Sequence, residues 1–551
     1  MKKILLGFLF LFTLQANAQY TFEQIDIWSG SNGSSPKYIT EFNGELYFQA
    51  AEITPSFRKL YKTDGTTNQL VAGNLNGGAG YSPESLYVMN GELYFTAFVS
   101  GIGTELYKTD GTDVGTILLK DVRTGSSNGL DSNFNEDKDI FIEYNGELYF
   151  RGSTNSSIEL WKTDGTPNGT VSVKNFEATN TGAPTYMSKG NKSILGTVYN
   201  GLLYFFVNRN SVGELWKTDG TTASTEIVRS GLSNIDEMIV FNNELYFVAG
   251  DDTAAEGREL WVTDGTAVGT IIKHDIFPNN LNPAFGFGSN PSDLTIFNNE
   301  LYFKARSYSE TSGQIIGSEL WKTDGTVSSL VKDIDTDNLA SGLNIPNFTI
   351  YNNELYFVAS DNTTSDFELW KTDGTESGTI KVVSATDTGE SIAFTKPTLY
   401  GNKLFYFDSQ QLWVTDGTPT GTQALTGNTE EIILVASSNP FLFQNKIWFS
   451  GTSATNGNEL TSLEDASILS VNDNVTETII LYPNPASNSI HFSNIQNDGS
   501  YRIYNTLGSL IKEGVLNRTN AHIDISLLTT GMYLVETTID SRSKSFKLLK
   551  N

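Results

Sequence analysis

Residues 259–270 read ELWVTDGTAVGT, and the same pattern recurs from residue 59 to residue 422. The core ELWKTDGT stands unchanged four times, and close variants raise the number of copies to eight. The aspartates of the copies follow one another at intervals of 43 to 60 residues and are Asp64, Asp110, Asp164, Asp219, Asp264, Asp324, Asp373 and Asp416. An enzyme needs one active site, so a motif written eight times points first to a repeated architecture.

A second signature precedes each copy and completes the repeating unit. It reads NGELYF in its first version, and its nine versions begin at residues 43, 90, 145, 200, 242, 298, 352, 401 and 444. Asn-Gly and Asp-Gly are preferred central pairs of type I′ hairpin turns, because both central residues need positive φ. One unit is therefore expected to form four strands, at Ser292–Phe297, Glu300–Ala305, Glu319–Thr323 and Leu330–Ile334.

Nine such units, with periods near those of propeller blades, predict an all-β chain. The expected architecture is a β-propeller of nine four-stranded blades, or of eight if the ninth unit is only an edge hairpin. The last unit has no good fourth strand after Glu464, whereas residues 22–27 (FEQIDI) resemble the fourth strands of other units. The N-terminal strand is therefore predicted to complete the last blade and to close the ring.

The repeated residues have structural and functional interpretations. We expect the eight aspartates to cap their own turns, because Asp-Gly between strands is explained by turn chemistry. A ring of calcium sites is the alternative. The tryptophans could stack sugars, but at strand centres they are more often core residues between blades.

The composition excludes several classes of function. The 551 residues contain 36 basic and 63 acidic residues, a net charge of −27, and no cysteine. An acidic body repels nucleic acids and anionic lipid surfaces, which need a basic footprint. Without cysteine there are no disulfides, and zinc or thiol chemistry loses its best ligands.

Both ends of the chain differ from the repeats. Residues 1–18 combine two lysines, a short apolar run and a small-residue site, which predicts a signal peptide cleaved after Ala18. No later stretch is long and apolar enough to span a membrane. The propeller is expected at 19–464, a polar linker at 465–478 and a separate domain at 479–551, where positive charge slightly exceeds negative.

The repeats resemble a family of predicted propellers in secreted bacterial proteins that carry ELWxTDGTxxGT. The full pattern is present at 259–270 and 368–379, whereas the trailing Gly-Thr is lost near Asp64, Asp219 and Asp324. The Asp-Gly pairs are placed much as in the Asp-box turns of sialidase-like propellers. The resemblance implies the fold and no activity.

Residues 479–551 resemble the type A C-terminal sorting domain of the type IX secretion system of Bacteroidota. The matching positions include Pro483, Asn484, Pro485, Gly508, Gly531 and Tyr533. The resemblance implies a small Ig-like sandwich that is recognised by the secretion machinery and carries cargo across the outer membrane. In the family the domain is commonly cleaved and the cargo attached to surface lipopolysaccharide.

Few residues suggest a chemical site. Asp333, Asp335 and Asp337 alternate as carboxylates do in calcium loops, but the glycine and glutamate of an EF-hand loop are missing. Calcium is thus the one cofactor considered, and no catalytic residue is assigned. His274 stands alone beside Asp275, and a satisfied or surface histidine is the favoured interpretation.

The long inserts at Phe176–Leu195, Phe277–Pro291 and Ser307–Gly317 are the expected ligand surface, because propellers bind through loops at one face. The favoured function is an exported binding or scaffold protein whose partner is a glycan or a protein. The alternative is a hydrolase or lyase that acts on extracellular polysaccharide, with loop carboxylates as acid and base.

Overall fold

The structure is a computed structural model, and its described residues divide between two compact units of the chain, Met1–Ala466 and Ser467–Asn551. This division falls within the segment 465–478 that the sequence predicts as a linker. The described residues are 20–52, 58–73, 75, 81–130, 140–154, 157–176, 186–187, 196–209, 212–251, 257–277, 288–309, 314–336, 342–344, 346–361, 367–383, 396–407, 412–425, 433–434, 440–465, 480–482, 484, 486, 488–493, 499–505, 510–516, 522–529, 531–539 and 542–550.

Throughout these residues the regular secondary structure is β-strand, as predicted. The first strand, β1 (Tyr20–Ile25), stands apart from the repeats that follow it. Repeat 1 contains β2 (Lys37–Phe42), β3 (Glu45–Ala51), β4 (Arg58–Thr63) and β5 (Asn68–Leu70). Repeat 2 contains β6 (Glu84–Met89), β7 (Glu92–Val99), β8 (Gly103–Thr109) and β9 (Ile117–Lys120). Repeat 3 contains β10 (Phe141–Tyr144), β11 (Glu147–Ser153), β12 (Ile158–Thr163) and β13 (Val171–Asn175).

Repeats 4 and 5 share one long strand and form an eight-stranded sheet. Repeat 4 contains β14 (Tyr186–Met187), β15 (Gly196–Tyr199), β16 (Leu202–Arg209), β17 (Val212–Thr218) and the first half of β18 (Glu226–Phe241). Repeat 5 begins with the second half of β18 and continues with β19 (Glu244–Asp251), β20 (Glu259–Thr263) and β21 (Ile271–His274). β18 pairs with β17 and then with β19.

The remaining repeats follow the same plan. Repeat 6 contains β22 (Ser292–Phe297), β23 (Glu300–Ser309), β24 (Gln314–Thr323) and β25 (Ser328–Lys332). Repeat 7 contains β26 (Thr349–Tyr351), β27 (Glu354–Ala359), β28 (Glu368–Thr372) and β29 (Ile380–Val383). Repeat 8 contains β30 (Thr398–Tyr400), β31 (Lys403–Phe407), β32 (Leu412–Thr415) and β33 (Gln423–Ala424). Repeat 9 contains β34 (Ile433–Leu434) and β35 (Phe441–Phe443), which both pair with β36 (Lys446–Ser453), and then β37 (Gly457–Asp465) as its third strand.

The two kinds of hairpin differ, and only one has the predicted turn type. At Asn298-Asn299 both central residues have positive φ, 48° and 58°, as a type I′ turn requires. The type I′ prediction is wrong for the Asp-Gly turns, because the glycines have positive φ but none of the eight aspartates does. The connection from β20 to β21 spans residues 264–270, so it is longer than a two-residue turn, and its aspartate side chain holds the loop from within.

Neighbouring repeats share buried cores. Leu106 of repeat 2 clusters with Trp161 of repeat 3, and Leu320 of repeat 6 clusters with Trp370 of repeat 7. The first strands of several successive repeats lie side by side, and β35 of repeat 9 lies beside β2 of repeat 1. Leu46 of repeat 1 clusters with Trp448 of repeat 9 in the same way. The tryptophans thus fill space between repeats, as the sequence predicts for core residues.

The N-terminal strand joins the last repeat. β1 pairs antiparallel with β37 from Tyr20 opposite Asp465 to Ile25 opposite Leu460, at the position where a fourth strand stands in other repeats. The predicted pairing is confirmed, although the strand begins two residues earlier and ends two residues earlier than the predicted 22–27. Both ends of the repeat region are therefore held in one sheet.

The C-terminal unit forms two antiparallel sheets around its own core. One contains β38 (Ile480–Tyr482), β39 (Ser489–Ser493) and β42 (His522–Asp524). The other contains β40 (Gly499–Asn505), β41 (Leu510–Leu516), β43 (Gly531–Ile539) and β44 (Arg542–Lys550). Ile490, Ile503 and Val535 are fully buried between them. The specific Ig-like topology stays a prediction.

Candidate functional site

The predicted turn aspartates hold their own loops. Asp264 Oδ1 accepts the backbone N–H of Thr266 at 2.8 Å and its hydroxyl at 2.7 Å, and the hydroxyl oxygens of Thr263 and Thr270 lie 2.7 Å apart at the base of the loop. The bonds from Thr266 keep the pKa of Asp264 below its ordinary value. The backbone N–H two residues on is bound in the same way by Asp64, Asp110, Asp164, Asp219, Asp324, Asp373 and Asp416.

The glycines of the loop are required by two different contacts. A Cβ at Gly269 would lie 2.1 Å from Asp264 Oδ1, so the trailing glycine makes room for the capping carboxylate. A Cβ at Gly265 would lie 2.4 Å from the hydroxyl of Tyr204, which belongs to the preceding repeat. Asp-Gly therefore shapes a turn and also packs it against the neighbouring repeat. The second role cannot be read from the motif alone.

This packing predicts unequal effects at two glycines of similar backbone conformation. Gly265→Ala should lower the free energy of unfolding by more than the roughly 1–2 kcal/mol of left-handed backbone strain, because the new methyl group meets the Tyr204 hydroxyl. Gly91→Ala is the matched control, since Gly91 also has positive φ (77°) but has open space around it. Urea denaturation should rank the variants in this order, and adding Tyr204→Phe should restore part of the loss. Equal losses at the two glycines would contradict the proposed contact.

The Glu of the ELW motif has a role that the sequence did not indicate. Glu259 is 1% exposed and accepts the backbone N–H groups of Ile276 at 3.1 Å and Ser289 at 2.6 Å, both in the connection to the next repeat. Glu105 and Glu319 bind the corresponding connections in the same manner. Each of these carboxylates ties the end of one repeat to the start of the following one.

A buried glutamate of the same kind also joins repeat 9 to the N-terminal segment. Glu459, which is fully buried, accepts the backbone N–H groups of Ile27 at 3.3 Å, Trp28 at 3.2 Å and Ser34 at 2.9 Å. The segment that follows β1 thus takes the place of an inter-repeat connection. This equivalence supports β1 as the fourth strand of repeat 9.

Burial raises the pKa of these glutamates, to about 7 for Glu259 and about 8 for Glu105 and Glu319. Raised carboxyl pKa values are often found at catalytic acids. Here the carboxyls recur from repeat to repeat and are buried, and their oxygens accept hydrogen bonds from backbone N–H groups. Their arrangement is therefore structural.

Glu84 is a different carboxyl, and no sequence motif points to it. It begins β6, where residues 82 and 85 both have positive φ and the pairing with β7 shifts register. Burial raises the pKa of Glu84 to about 7, against the lowering influence of Lys37 and Arg58. Its Oε2 is buried without a hydrogen-bond partner among the described residues. The positive-φ pair is a feature of the repeat, because it recurs at Ser35 and Tyr38 of repeat 1 and at Asn290 and Asp293 of repeat 6. The buried, unsatisfied carboxyl oxygen is what makes Glu84 a candidate for a functional test.

Two of the predicted ligand inserts meet in the structure. Phe277, of the insert Phe277–Pro291, stacks on Tyr308, of the insert Ser307–Gly317. Their ring centroids are 6.3 Å apart and their planes form an angle of 10°. The Arg306 guanidinium lies 5.7 Å from the centre of the Phe277 ring, and Arg306 Nε donates to the carbonyl of Gly288 at 2.7 Å. We call Phe277, Arg306 and Tyr308 the aromatic cluster. The remaining insert, Phe176–Leu195, contributes Phe176, which contacts Trp216. Its residues 177–185 and 188–195 lie outside the described part of the chain.

An open cleft of about 440 Å³ lies between repeats 4 and 5. It is lined by Arg229 and Trp261 together with apolar residues of the following turn and strand, including Val268 and Ile271. Val268 is 90% exposed and Ile271 is 51% exposed. The cleft offers an apolar wall and one cation, which suits a ligand with both an apolar face and an acceptor group.

The calcium candidates do not meet as a site among the described residues. Asp333 and Asp335 follow β25, and burial raises the pKa of Asp333. Asp337 lies outside the described residues. In the part of the chain that is described, no three His, Cys, Asp or Glu side chains form a group that could hold a metal ion. Calcium at this segment stays a prediction.

His274 is satisfied by the neighbouring repeat. Its Nε2 lies 3.2 Å from the hydroxyl of Thr323, whose usual partner, the trailing threonine, is missing from repeat 6. Burial lowers the pKa of His274. The imidazole thus takes the hydrogen-bonding position that the trailing threonine occupies in other repeats.

The predicted sorting residues are placed only in part. Asn484 binds the terminal strand, donating to Lys547 O at 2.6 Å and accepting from Leu549 N at 2.8 Å. Tyr533 packs in the core and donates to Thr529 O at 2.9 Å, and Gly531 begins β43 with a φ of 153°. Pro483, Pro485 and Gly508 lie outside the described residues, as does the predicted cleavage site at Ala18.

Comparison with known proteins identifies one segment. Residues 480–551 match the family model described as secretion system C-terminal sorting domain. No curated protein matches the chain. Membership in the ELWxTDGTxxGT propeller family stays a prediction.

Solved structures show a general likeness. A puromycin-hydrolysing peptidase of Mycobacterium tuberculosis is 9% identical with a TM-score of 0.37, and the alignment covers 78% of this chain and 62% of the peptidase. The β-propeller domain of the trilobed protease from Pyrococcus furiosus is 11% identical with a TM-score of 0.30, covering 59% of this chain and 92% of that domain. The chain thus spans less than two thirds of the length of the first of these relatives. At these scores the likeness supports no inference about activity.

The described residues contain no helix that is long and apolar enough to cross a membrane. The C-terminal match, together with the motif order from Asn484 to Tyr533, indicates the destination of the protein. A sorting domain of the type IX secretion system at residues 480–551 directs the chain through that system to the cell surface or the extracellular space.

Proposed function

We propose that the nine repeats close into a nine-bladed β-propeller that serves, after type IX export, as a binding or scaffold protein for an extracellular glycan or protein. The closed ring is supported by the pairing of β1 with β37 and by the core that repeats 1 and 9 share. The shared strand β18 counts once in each of repeats 4 and 5 in this arrangement.

One observation carries the binding function. The aromatic cluster brings a stacked ring pair and a guanidinium together where two of the long inserts meet. Consecutive strands of these sheets pair antiparallel, so in repeat 6 the facing ends of β23 and β24 lie opposite the Asn-Asn and Asp-Gly turns. Phe277 is buried, so the partly exposed Arg306 and Tyr308 are the members that a ligand can reach. Tyrosine and arginine are enriched among residues that dominate binding energy.

The test is a screen of the mature protein against a glycan array and a panel of extracellular proteins, followed by affinity measurements on the hits. Tyr308→Ala should weaken binding about tenfold or more, since hot-spot side chains contribute roughly 2 kcal/mol or more. Val268→Ser is the matched surface control, because Val268 is exposed and belongs to the cleft between repeats 4 and 5. Loss of binding with Val268→Ser alone would place the ligand in the cleft and overturn the loop-face proposal.

Incubation with extracellular polysaccharides tests the alternative of an enzyme. Release of shorter chains would contradict a purely binding function. Glu84→Gln would then be the first variant to assay, since Glu84 has a pKa near neutrality as a general acid requires.

A further inference from the structure

The C-terminal unit holds two of the three histidines of the chain, and they lie directly opposite each other. His491 is on β39 and His522 on β42, where the antiparallel register pairs them. Their ring centroids are 4.6 Å apart, with the planes at 60°. Side chains at opposite positions of a strand pair project from the same face of the sheet. The two imidazoles are therefore neighbours on one surface.

We propose that His491 and His522 form a two-histidine site for a divalent transition-metal ion. Neutral imidazole is a preferred ligand of copper, nickel and zinc, and the chain has no cysteine to compete for these ions. His522 is exposed and His491 is partly exposed, so an ion can reach both rings from solvent. Two ring nitrogens fill two coordination positions and leave the others to water.

The surroundings of the histidine pair set the limits of the site. Asp524 lies two residues from His522 on the same strand and face, and its carboxylate accepts the backbone N–H of Ser526 at 2.8 Å. The Lys512 ammonium is bound to the carbonyl of Asp524 at 2.5 Å. Among the described residues no third His, Asp or Glu completes a group of three with the histidine pair. Binding should therefore be weaker than at three- or four-ligand sites.

Metal binding would also cross-link the two short strands β39 and β42. The described pairing of β39 with β42 comprises only Ser489–Asp524, Ile490–Ile523 and His491–His522. An ion shared by the last pair adds a cross-link at the end of this ladder. Because the folded form alone offers both rings at this spacing, the metal should stabilise the C-terminal unit.

The test uses untagged residues 19–551, which retain the C-terminal unit, and titrates them with Cu²⁺ at pH 7.5. Calorimetry measures the affinity, and electron paramagnetic resonance detects nitrogen ligands. Copper is chosen because it heads the order of divalent affinities, with Ni²⁺ and Zn²⁺ expected to bind more weakly. His522→Gln should weaken binding about tenfold or more, and the double variant with His491→Gln should abolish the site. His274→Gln is the matched control and should bind as wild type does.

His522 is exposed and its substitution should leave the fold intact, which an unchanged circular dichroism spectrum and melting temperature without metal would verify. Unchanged affinity in the double variant, or an equal loss with His274→Gln, would overturn the proposal.

Discussion

Glu459→Ala should destabilise the repeat region by about 3 to 5 kcal/mol and release β1 from the last sheet. The substitution removes the acceptor of three backbone N–H groups and of the Ser34 hydroxyl, all in the segment that leads from repeat 9 to repeat 1. Burying these donors without a partner costs free energy for each of them. The loss should appear as a lower denaturation midpoint and as faster hydrogen exchange in Tyr20–Ile25.

Glu464→Ala is the matched control for this experiment. Glu464 lies on the same strand, and its carboxylate pairs with Lys446 at 3.2 Å near the surface. A partly exposed ion pair contributes roughly 1 kcal/mol or less, so the control should differ little from wild type. If Glu459→Ala also left the denaturation midpoint and the exchange of β1 unchanged, the closure of the ring by the N-terminal strand would be contradicted.

Removal of residues 475–551 should abolish delivery to the surface while leaving a folded repeat region. The sorting-domain match lies entirely within the deleted segment, and the buried residues of the repeats cluster with one another. In a host with a type IX system the truncated chain should accumulate in the periplasm. Cell fractionation and protease treatment of intact cells measure this directly.

A gain-of-function arm completes the test. Val475–Asn551 fused to a periplasmic fluorescent protein should carry that reporter to the surface or medium, which a truncated chain that merely misfolds could not explain. Efficient surface delivery of the truncated chain would show that the C-terminal unit is not the export signal.

The sequence alone determined the repeating strands and the export domain. Asn-Gly turns, the spacing of ELYF and ELW segments and the strand at the N-terminus are local patterns, and local backbone preferences and hydrophobic runs fix where strands form. The strand Ser292–Phe297 was predicted to the residue. The prediction of a type I′ turn at Asp-Gly was wrong, because Asp264 Oδ1 accepts a hydrogen bond within its own loop and stabilises a longer connection.

The tertiary structure decided which polar residues are buried and what they bind. A glutamate in a strand is expected at the surface, yet Glu259 bonds groups 17 and 30 residues further along the chain, which no periodicity can reveal. The contact of Gly265 with Tyr204 and the pairing of His491 with His522 likewise join residues that are distant in sequence. Such contacts form only when distant strands are brought together. A buried polar group costs free energy unless it finds a partner, and the folded structure alone decides which partner lies within reach.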